Sequence, residues 1–110
     1  MDLRRLRQIL KVCADDTRLR ILNLLGSGEH AVTDIADCLE LNQPTVSKHL
    51  ARFRLLRLVV DRREGNSVYY SLAKESDIAE MKIINFILSQ FSGLPTFVKD
   101  RGKLKEYRLF

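Results

Sequence analysis

The stretch from Thr33 to Leu50 constrains the fold of this chain more than any other part of its sequence. Apolar residues recur at helical spacing on both sides of a short polar break, and Ala36 is small enough to let two helices approach closely. Asn42 is a favourable N-cap, and Pro44 then falls in the first turn of the second helix, where its missing N–H costs nothing. The stretch therefore predicts two short helices that are joined by a tight turn and packed at a steep angle.

Periodicity predicts two more helices before this pair. The apolar residues of the segment 3–13 fall on one face of a first helix. A second helix begins near Asp16 or Thr17, either of which can act as its N-cap, and it ends at the glycines of 26–28. Thr33 and Asp34 are then expected to open the third helix.

The sequence next changes to a β-rich pattern. Residues 58–63 and 66–72 are rich in β-branched and aromatic side chains, and the residues 64–66 between them are typical of a hairpin turn. Asp77 and Glu80 resemble a capping box that opens a fifth helix, which is apolar on nearly every side. The predicted fold class is therefore mainly α with a small β-hairpin, in the order α-α-α-α-β-β-α, which is a winged helix-turn-helix layout.

Length and composition exclude several broad classes of protein. The chain has 110 residues, of which 45% are apolar and 30% charged, so we expect one folded domain rather than a fibrous or disordered chain. No apolar run approaches the ~18 residues of a transmembrane helix, and residues 1–5 lead into an amphipathic pattern without the apolar core of a signal peptide. Two cysteines do not make a disulfide framework. We therefore expect a cytoplasmic protein without membrane contact.

Charge is distributed unevenly along the chain, whose formal net charge is +5. Residues 21–41 carry four acidic and no basic side chains, whereas residues 42–70 carry six basic and two acidic ones. A basic block beside an acidic one is typical of a protein with a polyanionic partner, but a solvated surface would give the same count. Residues 43–60 favour the interpretation of a polyanionic partner, because they contain no acidic residue. A surface that is only solvated would mix positive and negative charges.

Double-stranded DNA is the polyanion that this layout fits best. The second helix of the pair can lie in a major groove, where Gln43 and Arg52 offer bidentate hydrogen bonds to adenine and guanine edges. Its other polar residues, with the arginines near the hairpin tip, can bind phosphate oxygens and fix the register. For those arginines the alternative is a cationic hairpin that only prevents edge aggregation. The predicted DNA-binding residues are Asn42, Gln43, Thr45, Ser47, Lys48, His49, Arg52, Arg62 and Arg63.

Three segments give the chain a specific resemblance to a known family. ADDTRLRIL at 14–22, LNQPTVSKHL at 41–50 and REGNSVYY at 63–70 are similar, in this order, to motifs of the ArsR family of bacterial and archaeal repressors. The resemblance implies a homodimer that joins through its first and last predicted helices, 3–13 and 77–91. It also implies a repressor that binds an operator in double-stranded DNA, here expected to be an inverted repeat, until a metal or another signal releases it.

The chain departs from the family pattern at several positions. Arg57 stands where a glycine is usual before the first wing strand, so the resemblance does not fix the helix-to-wing geometry. The family's soft-metal site has a Cys-x-Cys pair at the start of the third helix, and the matching positions here are Ala31 and Thr33. The other common metal site needs histidines on the last helix, and the sequence has none after His49. We therefore expect neither a bound metal nor any other cofactor.

The two cysteines leave an alternative signal open. Cys13 is expected to be a buried thiol on the first helix, and Cys38 a partly exposed one whose pKa nearby acids raise. They are the candidates for a thiol-redox switch, although two structural thiols are the simpler interpretation. A metabolite signal and a winged-helix protein–protein interaction module without DNA binding are further alternatives. An enzyme is not expected, because no set of residues forms a catalytic motif.

The C-terminal residues lie outside the resemblance. We expect residues 1–92 to form the DNA-binding and dimerisation domain and residues 93–110 to form a basic tail. A loose, solvated segment is the first expectation for this tail. The alternative is that its apolar residues pack on the dimer while its basic residues add charge toward DNA; those apolar residues are Phe97, Leu104, Tyr107 and Phe110.

Overall fold

The described part of the chain folds into six helices and three strands. The computed structural model describes the backbone of residues 1–108 and the side chains of residues 1–105. Its elements are α1 (Leu3–Cys13), α2 (Asp16–Leu25), β1 (His30–Ala31), α3 (Val32–Leu39), α4 (Gln43–Leu55), β2 (Val59–Glu64), β3 (Ser67–Leu72), α5 (Met81–Phe91) and α6 (Pro95–Arg108). The helices α3 and α4 form the helix-turn-helix pair, and the hairpin β2–β3 forms the wing. The predicted fold is therefore confirmed. The strand β1 and the helix α6 were not predicted. None of the described helices is long and apolar enough to cross a bilayer.

A three-stranded antiparallel sheet joins the wing to the start of α3. The central strand is β3, which lies between β2 and β1. The two wing strands pair along their full length, and Gly65 has a φ of 60° at the first position of the turn, as a type II′ hairpin turn requires. On the other edge of β3, His30 of β1 lies opposite Tyr70. Because β1 leads directly into α3, the sheet holds the helix-turn-helix pair and the wing in one unit.

The hydrophobic core lies between α2, α3, α4 and the sheet. On α4, the side chains of Val46, Leu50 and Phe53 are fully buried, as the sequence predicted. Ile35 of α3 and Leu58, just before β2, are fully buried as well. Burial of these aliphatic and aromatic groups fixes the rotation of α4 about its axis. The opposite face of α4 is therefore held toward solvent.

The N-cap of α2 differs by one residue from the prediction. Asp15 caps this helix, because its Oδ2 atom accepts a hydrogen bond from the backbone N–H of Arg18 at 3.0 Å. The expected cap at Asp16 or Thr17 is wrong. Asp15 has the extended backbone that an N-cap needs, whereas Asp16 already lies in the helix.

The start of α5 also differs from the prediction. Asp77 and Glu80 do not form a capping box, and α5 begins at Met81 without a side-chain cap. The carboxylate of Glu80 instead binds Arg5 of α1 at 3.2 Å, so it is not available to fold back onto the helix start. Residues 74–80 form turns that are closed by backbone hydrogen bonds.

Residues with left-handed backbone stand just before and just after α4. Glu40, in the turn that leads into α4, has a φ of 57°, and Arg57, after its last turn, has a φ of 62°. At each of them, the next residue's N–H donates to the carbonyl five positions earlier and so closes the preceding helix in a Schellman arrangement. A left-handed φ favours glycine, which adopts this geometry freely. Arg57 adopts the same geometry at a cost of about 1 kcal/mol. The helix-to-wing connection forms despite this departure from the family pattern.

The helix α6 corrects the expectation of a loose tail. Phe97, Asp100 and Leu104 are at most 5% exposed and face α2 and α3. Asn23 of α2 donates from Nδ2 to the Phe97 carbonyl at 3.1 Å, and the guanidinium of Arg20 binds both carboxylate oxygens of Asp100. These partners lie 74 to 80 residues away in sequence, which is why local pattern did not reveal the helix.

Two parts of the expectation for the C-terminus stay predictions. The side chains of Tyr107 and Phe110, which were expected to pack with Phe97 and Leu104, lie outside the described residues. The domain boundary between residues 92 and 93 is also untested, although α6 and α2 are in contact across it.

Candidate nucleic-acid interface

The exposed face of α4 carries most of the side chains predicted to contact DNA. Gln43, Ser47, Lys48 and Arg52 are exposed, and Thr45 is half-buried. Thr45, Lys48 and Arg52 lie on the side of the helix away from its buried residues. Ser47 lies on the flank of that side, and Gln43 projects from the helix start. No acidic residue occurs in α4. The face therefore combines two positive charges with amide and hydroxyl groups.

Asn42 has a structural task at the start of this face. Its Oδ1 atom accepts a hydrogen bond from the backbone N–H of Thr45 at 2.9 Å, which confirms the predicted N-cap of α4. The Nδ2 group of the same exposed side chain makes no hydrogen bond with any described residue. Asn42 thus fixes the helix start and keeps one amide donor for a ligand.

A cavity of about 130 Å³ lies between α3, α4 and the wing. All three elements contribute to its polar lining, which consists of Thr33, Gln43, Ser47, Asn66 and Ser67. Three of these residues (Thr33, Asn66 and Ser67) were not predicted to contact DNA, because their proximity to α4 depends on the pairing of β1 with β3. Hydroxyl and amide donors without a carboxylate are suited to a phosphate oxygen.

The two arginines of the wing have different surroundings. Arg62 binds Glu29, which precedes β1, through hydrogen bonds of 2.7 and 3.2 Å, and it binds Glu64 at 2.7 Å. These hydrogen bonds raise the pKa of Arg62, whose guanidinium also lies 4.7 Å from the centre of the Tyr69 ring. Arg63 is exposed and forms no ion pair with any described side chain. Of the two, Arg63 is the cation that a phosphate can approach without displacing a carboxylate.

His49 lies apart from the exposed face of α4. Its side chain is half-buried, and its Nδ1 atom is enclosed without a hydrogen-bond partner among the described residues. Desolvation lowers the pKa of His49; the carboxylate of Asp15 opposes this shift, while the charges of Arg18 and Arg52 reinforce it. The neutral imidazole near the start of α2 fits helix packing better than phosphate binding.

Both cysteines are buried thiols. Cys38 is fully buried, which corrects the expectation that it is partly exposed, and Cys13 is 6% exposed. The Sγ–H of Cys38 donates to the carbonyl oxygen of Asp100 in α6 at 3.1 Å, so the helix that the sequence did not predict covers this thiol. Burial and the nearby Asp100 raise the pKa of Cys38 to about 11, and burial raises the pKa of Cys13. The thiolate, which is the reactive form, is therefore disfavoured at both positions.

The positions that match the family's soft-metal site carry no thiol. Ala31 is buried in β1, and Thr33 is exposed in the first turn of α3. Across the described residues, no three His, Cys, Asp or Glu side chains come together in a group that could hold a metal ion.

Apolar side chains are exposed on α1 and α5. Leu3 is 76% and Leu10 50% exposed on α1, and Phe86 is 63% exposed on α5. A shallow groove of about 550 Å³ follows α1 between Leu3 and Ala14. Exposed apolar surface of this kind marks an interaction site in a small protein. These are the two helices that were predicted to join the protomers.

Comparisons with known proteins identify the family. Residues 15–60, from the end of the α1–α2 connection into β2, match the model described as bacterial regulatory protein, arsR family. The chain is 44% identical to an arsenic resistance transcriptional regulator of Pseudomonas putida over 61% of this chain and 53% of that protein. It is 40% identical to the arsenical resistance operon repressor of Escherichia coli over 71% of this chain and 68% of that protein. It thus spans about half the length of the first relative and two thirds of the second.

A solved structure agrees with this family match. The homodimeric winged helix-turn-helix DNA-binding domain from Mycobacterium bovis has a TM-score of 0.67 and 35% identity, over 81% of this chain and 82% of that one. The family model, the sequence identities and the fold lead to the same assignment. The chain belongs to the ArsR family of winged helix-turn-helix transcriptional regulators.

Proposed function

We propose that this protein is a sequence-specific repressor that binds operator DNA as a homodimer. The exposed face of α4, which is free of acidic residues and lies beside the wing, is the observation that carries this proposal. A protein–protein interaction module would instead present apolar anchors on that face. The names of the Pseudomonas putida and Escherichia coli relatives, a transcriptional regulator and an operon repressor, support the same function.

The residues of α4 and the wing divide into two roles. Gln43 at the helix start and Arg52 two and a half turns later read base edges, because both side chains are exposed and can form bidentate pairs. Ser47 and the cavity residues Thr33 and Ser67 bind a backbone phosphate, and Lys48 and Arg63 add charge. Arg62 and His49 are instead structural: the contacts of Arg62 stabilise the wing, and those of His49 stabilise the core, and neither residue contacts the DNA.

The dimer forms through the apolar faces of α1 and α5. Their exposed leucine and phenylalanine side chains need cover, and the matched Mycobacterium bovis domain is homodimeric. A twofold dimer presents two α4 helices, so its operator is an inverted repeat whose half-sites lie about one helical turn, or a multiple of it, apart.

The signal that releases this repressor is not a soft metal held by the family's Cys-x-Cys pair. Ala31 and Thr33 offer neither a thiolate nor an imidazole. A thiol-redox signal is disfavoured, because burial raises the pKa of both cysteines. Of the alternatives, a metabolite signal is therefore the one that we propose.

Selection of binding sequences from a random duplex pool tests this proposal directly. The selected DNA is expected to contain an inverted repeat, bound by two protomers in sedimentation experiments. Zinc, cadmium and arsenite are expected to leave the operator affinity unchanged in fluorescence anisotropy at fixed salt. Enrichment of no sequence would contradict the proposed repressor, and a metal-induced loss of affinity would contradict the proposed absence of metal sensing.

A further inference from the structure

A polar cavity of about 320 Å³ lies between the end of α2, the second half of α5 and α6. Its volume is at the lower end of the range for pockets that hold small molecules. None of the residues that line it is acidic, and none belongs to α4 or the wing. Its polar lining consists of Asn23, Ser27, Asn85, Ser89, Ser92 and Arg101. The cavity is therefore separate from the proposed DNA-binding surface and large enough for a small metabolite.

Arg101 of α6 supplies the positive charge of this described lining. Its Nη1 atom donates to Oδ1 of Asn23 at 2.7 Å, and its Nη2 atom donates to the carbonyl oxygen of Ser92 at 2.8 Å. Both acceptors are neutral, and the guanidinium forms no ion pair with any described side chain. The two hydrogen bonds hold the guanidinium in place and use two of its five N–H groups. Three donors and an uncompensated charge remain for a ligand.

The two residues that contact this guanidinium have unused donors as well. Asn23 is only 5% exposed, and its Nδ2 atom donates one hydrogen bond, to the carbonyl oxygen of Phe97. An amide nitrogen carries two N–H groups, so one N–H of Asn23 has no partner among the described residues. The hydroxyl of Ser92 likewise makes no hydrogen bond within the described part of the chain. A buried donor without a partner is costly, and an acceptor in the cavity would satisfy it.

The other polar residues of the lining are already engaged. Ser27 and Ser89 each donate to a backbone carbonyl three residues earlier. Asn85 donates to Glu75, whose exposed carboxylate is not part of the lining. The unused donors therefore lie mainly on the guanidinium and on the two residues that contact it. A group of donors with one full positive charge and no carboxylate fits an oxyanion, such as a carboxylate or a phosphate.

The half of α5 that lines the cavity is weakly anchored to the core. The buried residues of α5 are Met81 and Ile84, both in its first half. In its second half, Leu88 approaches the end of α2 so closely that a Cβ on Gly26 would lie 3.2 Å from it. A ligand between α2 and α5 can therefore displace this half of α5, because few buried contacts hold it. Since α5 belongs to the proposed dimer interface, its displacement changes how the protomers meet.

We propose that this cavity binds a small organic anion whose carboxylate or phosphate group is held by Arg101 and Asn23, and that the bound anion weakens operator binding by displacing α5. The second part rests on the proposed function, and it makes this cavity the site of the metabolite signal. Both Ser92 and Arg101 lie outside residues 15–60, so the match to the family model does not supply this site.

NMR titration of the full chain tests the binding site without DNA. The probes are succinate and glycerol 3-phosphate, which carry carboxylate and phosphate groups, and glycerol is the neutral control, all at constant ionic strength. At least one of the anions is expected to cause saturable shifts in the backbone amides around the cavity and in the Nε–H of Arg101. The anion that binds more tightly identifies the preferred oxyanion. Saturable shifts with neither anion, or equal shifts with glycerol, would overturn the proposal.

A carboxylate introduced into the cavity is expected to compete with the anion. Ser92→Asp removes no hydrogen bond of the native side chain, and its carboxylate should pair with Arg101 and lower the affinity for the anion about tenfold or more. Gln90→Glu is the matched control, because it adds the same charge at an exposed position of α5 outside the lining. It is expected to keep the wild-type affinity. Equal losses in the two variants would overturn the site, since they would show an effect of charge alone.

Removal of the guanidinium is the complementary change. Arg101→Gln is expected to abolish the saturable shifts, whereas Lys99→Gln, which removes a charge from the same helix outside the lining, is expected to preserve them. Saturable binding of the anion to Arg101→Gln with wild-type affinity would overturn the site.

Operator binding tests the role of the anion as a signal. Anisotropy is measured at fixed ionic strength with the duplex that the wild-type protein selects. Saturation with the anion is expected to lower the affinity about fivefold or more. Ser92→Asp is expected to bind the duplex more weakly than Gln90→Glu and to show no response to the anion. An anion that occupies the cavity without changing operator affinity would overturn its role as the signal. If the wild-type chain selects no duplex, the proposed repressor function fails, while the NMR titration still decides whether the cavity binds an anion.

Discussion

The guanidinium of Arg20 and the carboxylate of Asp100 form two hydrogen bonds, of 2.7 and 2.9 Å, across 80 residues of sequence. The side chain of Asp100 is 1% exposed, whereas that of Arg20 is 29% exposed. A carboxylate at this depth needs a hydrogen-bonding partner, because its desolvation is costly. The hydrogen bonds with Asp100 also raise the pKa of Arg20. This pair holds α6 against α2.

Removing the buried carboxylate is expected to destabilise the protein. Asp100→Ala should lower the free energy of unfolding by roughly 2 kcal/mol, less than for a fully buried pair because Arg20 can turn toward water. Urea unfolding at fixed protein concentration measures the change. Asp37→Ala, at an exposed position of α3, is the control and should stay within about 0.5 kcal/mol of wild type. Equal losses in the two variants would show that the pair does not hold α6.

Glycine at the left-handed position after α4 is expected to stabilise the protein. Arg57→Gly relieves the strain of a φ of 62°, which costs about 1 kcal/mol. The higher entropy of glycine in the unfolded chain offsets part of this gain, so the net stabilisation is expected to be at most about 0.5 kcal/mol. Lys48→Gly, on the exposed face of α4, should instead lose about 1 kcal/mol. Thermal unfolding of both variants distinguishes strain at Arg57 from a general effect of glycine.

Stability is expected to fall as the pH drops through the range where histidine titrates. Desolvation lowers the pKa of His49 in the folded state, so the unfolded chain, with a pKa near 6.5, takes up the proton first. The contribution of neutral His49 is therefore complete above about pH 7 and is lost as the pH falls through 6.5 toward the folded pKa. The free energy of unfolding should differ less between pH 7.5 and pH 5.5 in His49→Gln than in the wild type. An NMR titration that places His49 at or above 6.5 would contradict this expectation.

Base recognition and phosphate binding are expected to separate in two variants. Gln43→Ala should reduce the discrimination between the selected operator and a single-base variant of it, since one bidentate contact is worth roughly 1–3 kcal/mol. Arg63→Ala should weaken binding to both duplexes alike and lower the salt slope by about 0.9. Anisotropy with both duplexes gives the ratio of affinities. An unchanged ratio in Gln43→Ala would mean that another residue contacts the base edge.

The helix-turn-helix pair and the wing follow from local sequence. Asn42 caps α4, and the buried spacing of Val46, Leu50 and Phe53 fixes which side of the helix faces water. Those features depend on neighbours a few residues away, so periodicity and turn chemistry are enough to predict them. Most of the exposed face of α4 could be predicted for the same reason.

Features that depend on distant partners could not be predicted in this way. The ion pairs of Arg62 include Glu29, 33 residues earlier, so its charge is less available than its place in the wing suggested. The burial of Cys38 depends on Asp100, 62 residues later. The cavity beside α4 likewise needs the pairing of β1 with β3, and a two-residue strand has almost no sequence signal.

That short strand also determines how the protein can switch. Because β1 pairs with β3 and continues into α3, separating the helix-turn-helix pair from the wing would break backbone hydrogen bonds of the sheet. In the proposed dimer, the motion with the lower free-energy cost is rotation of one whole protomer against the other. This rotation changes the distance between the two α4 helices. A releasing signal would then change how the two protomers are rotated relative to each other. The dimer with the signal bound would fit an operator with a different spacing between its half-sites.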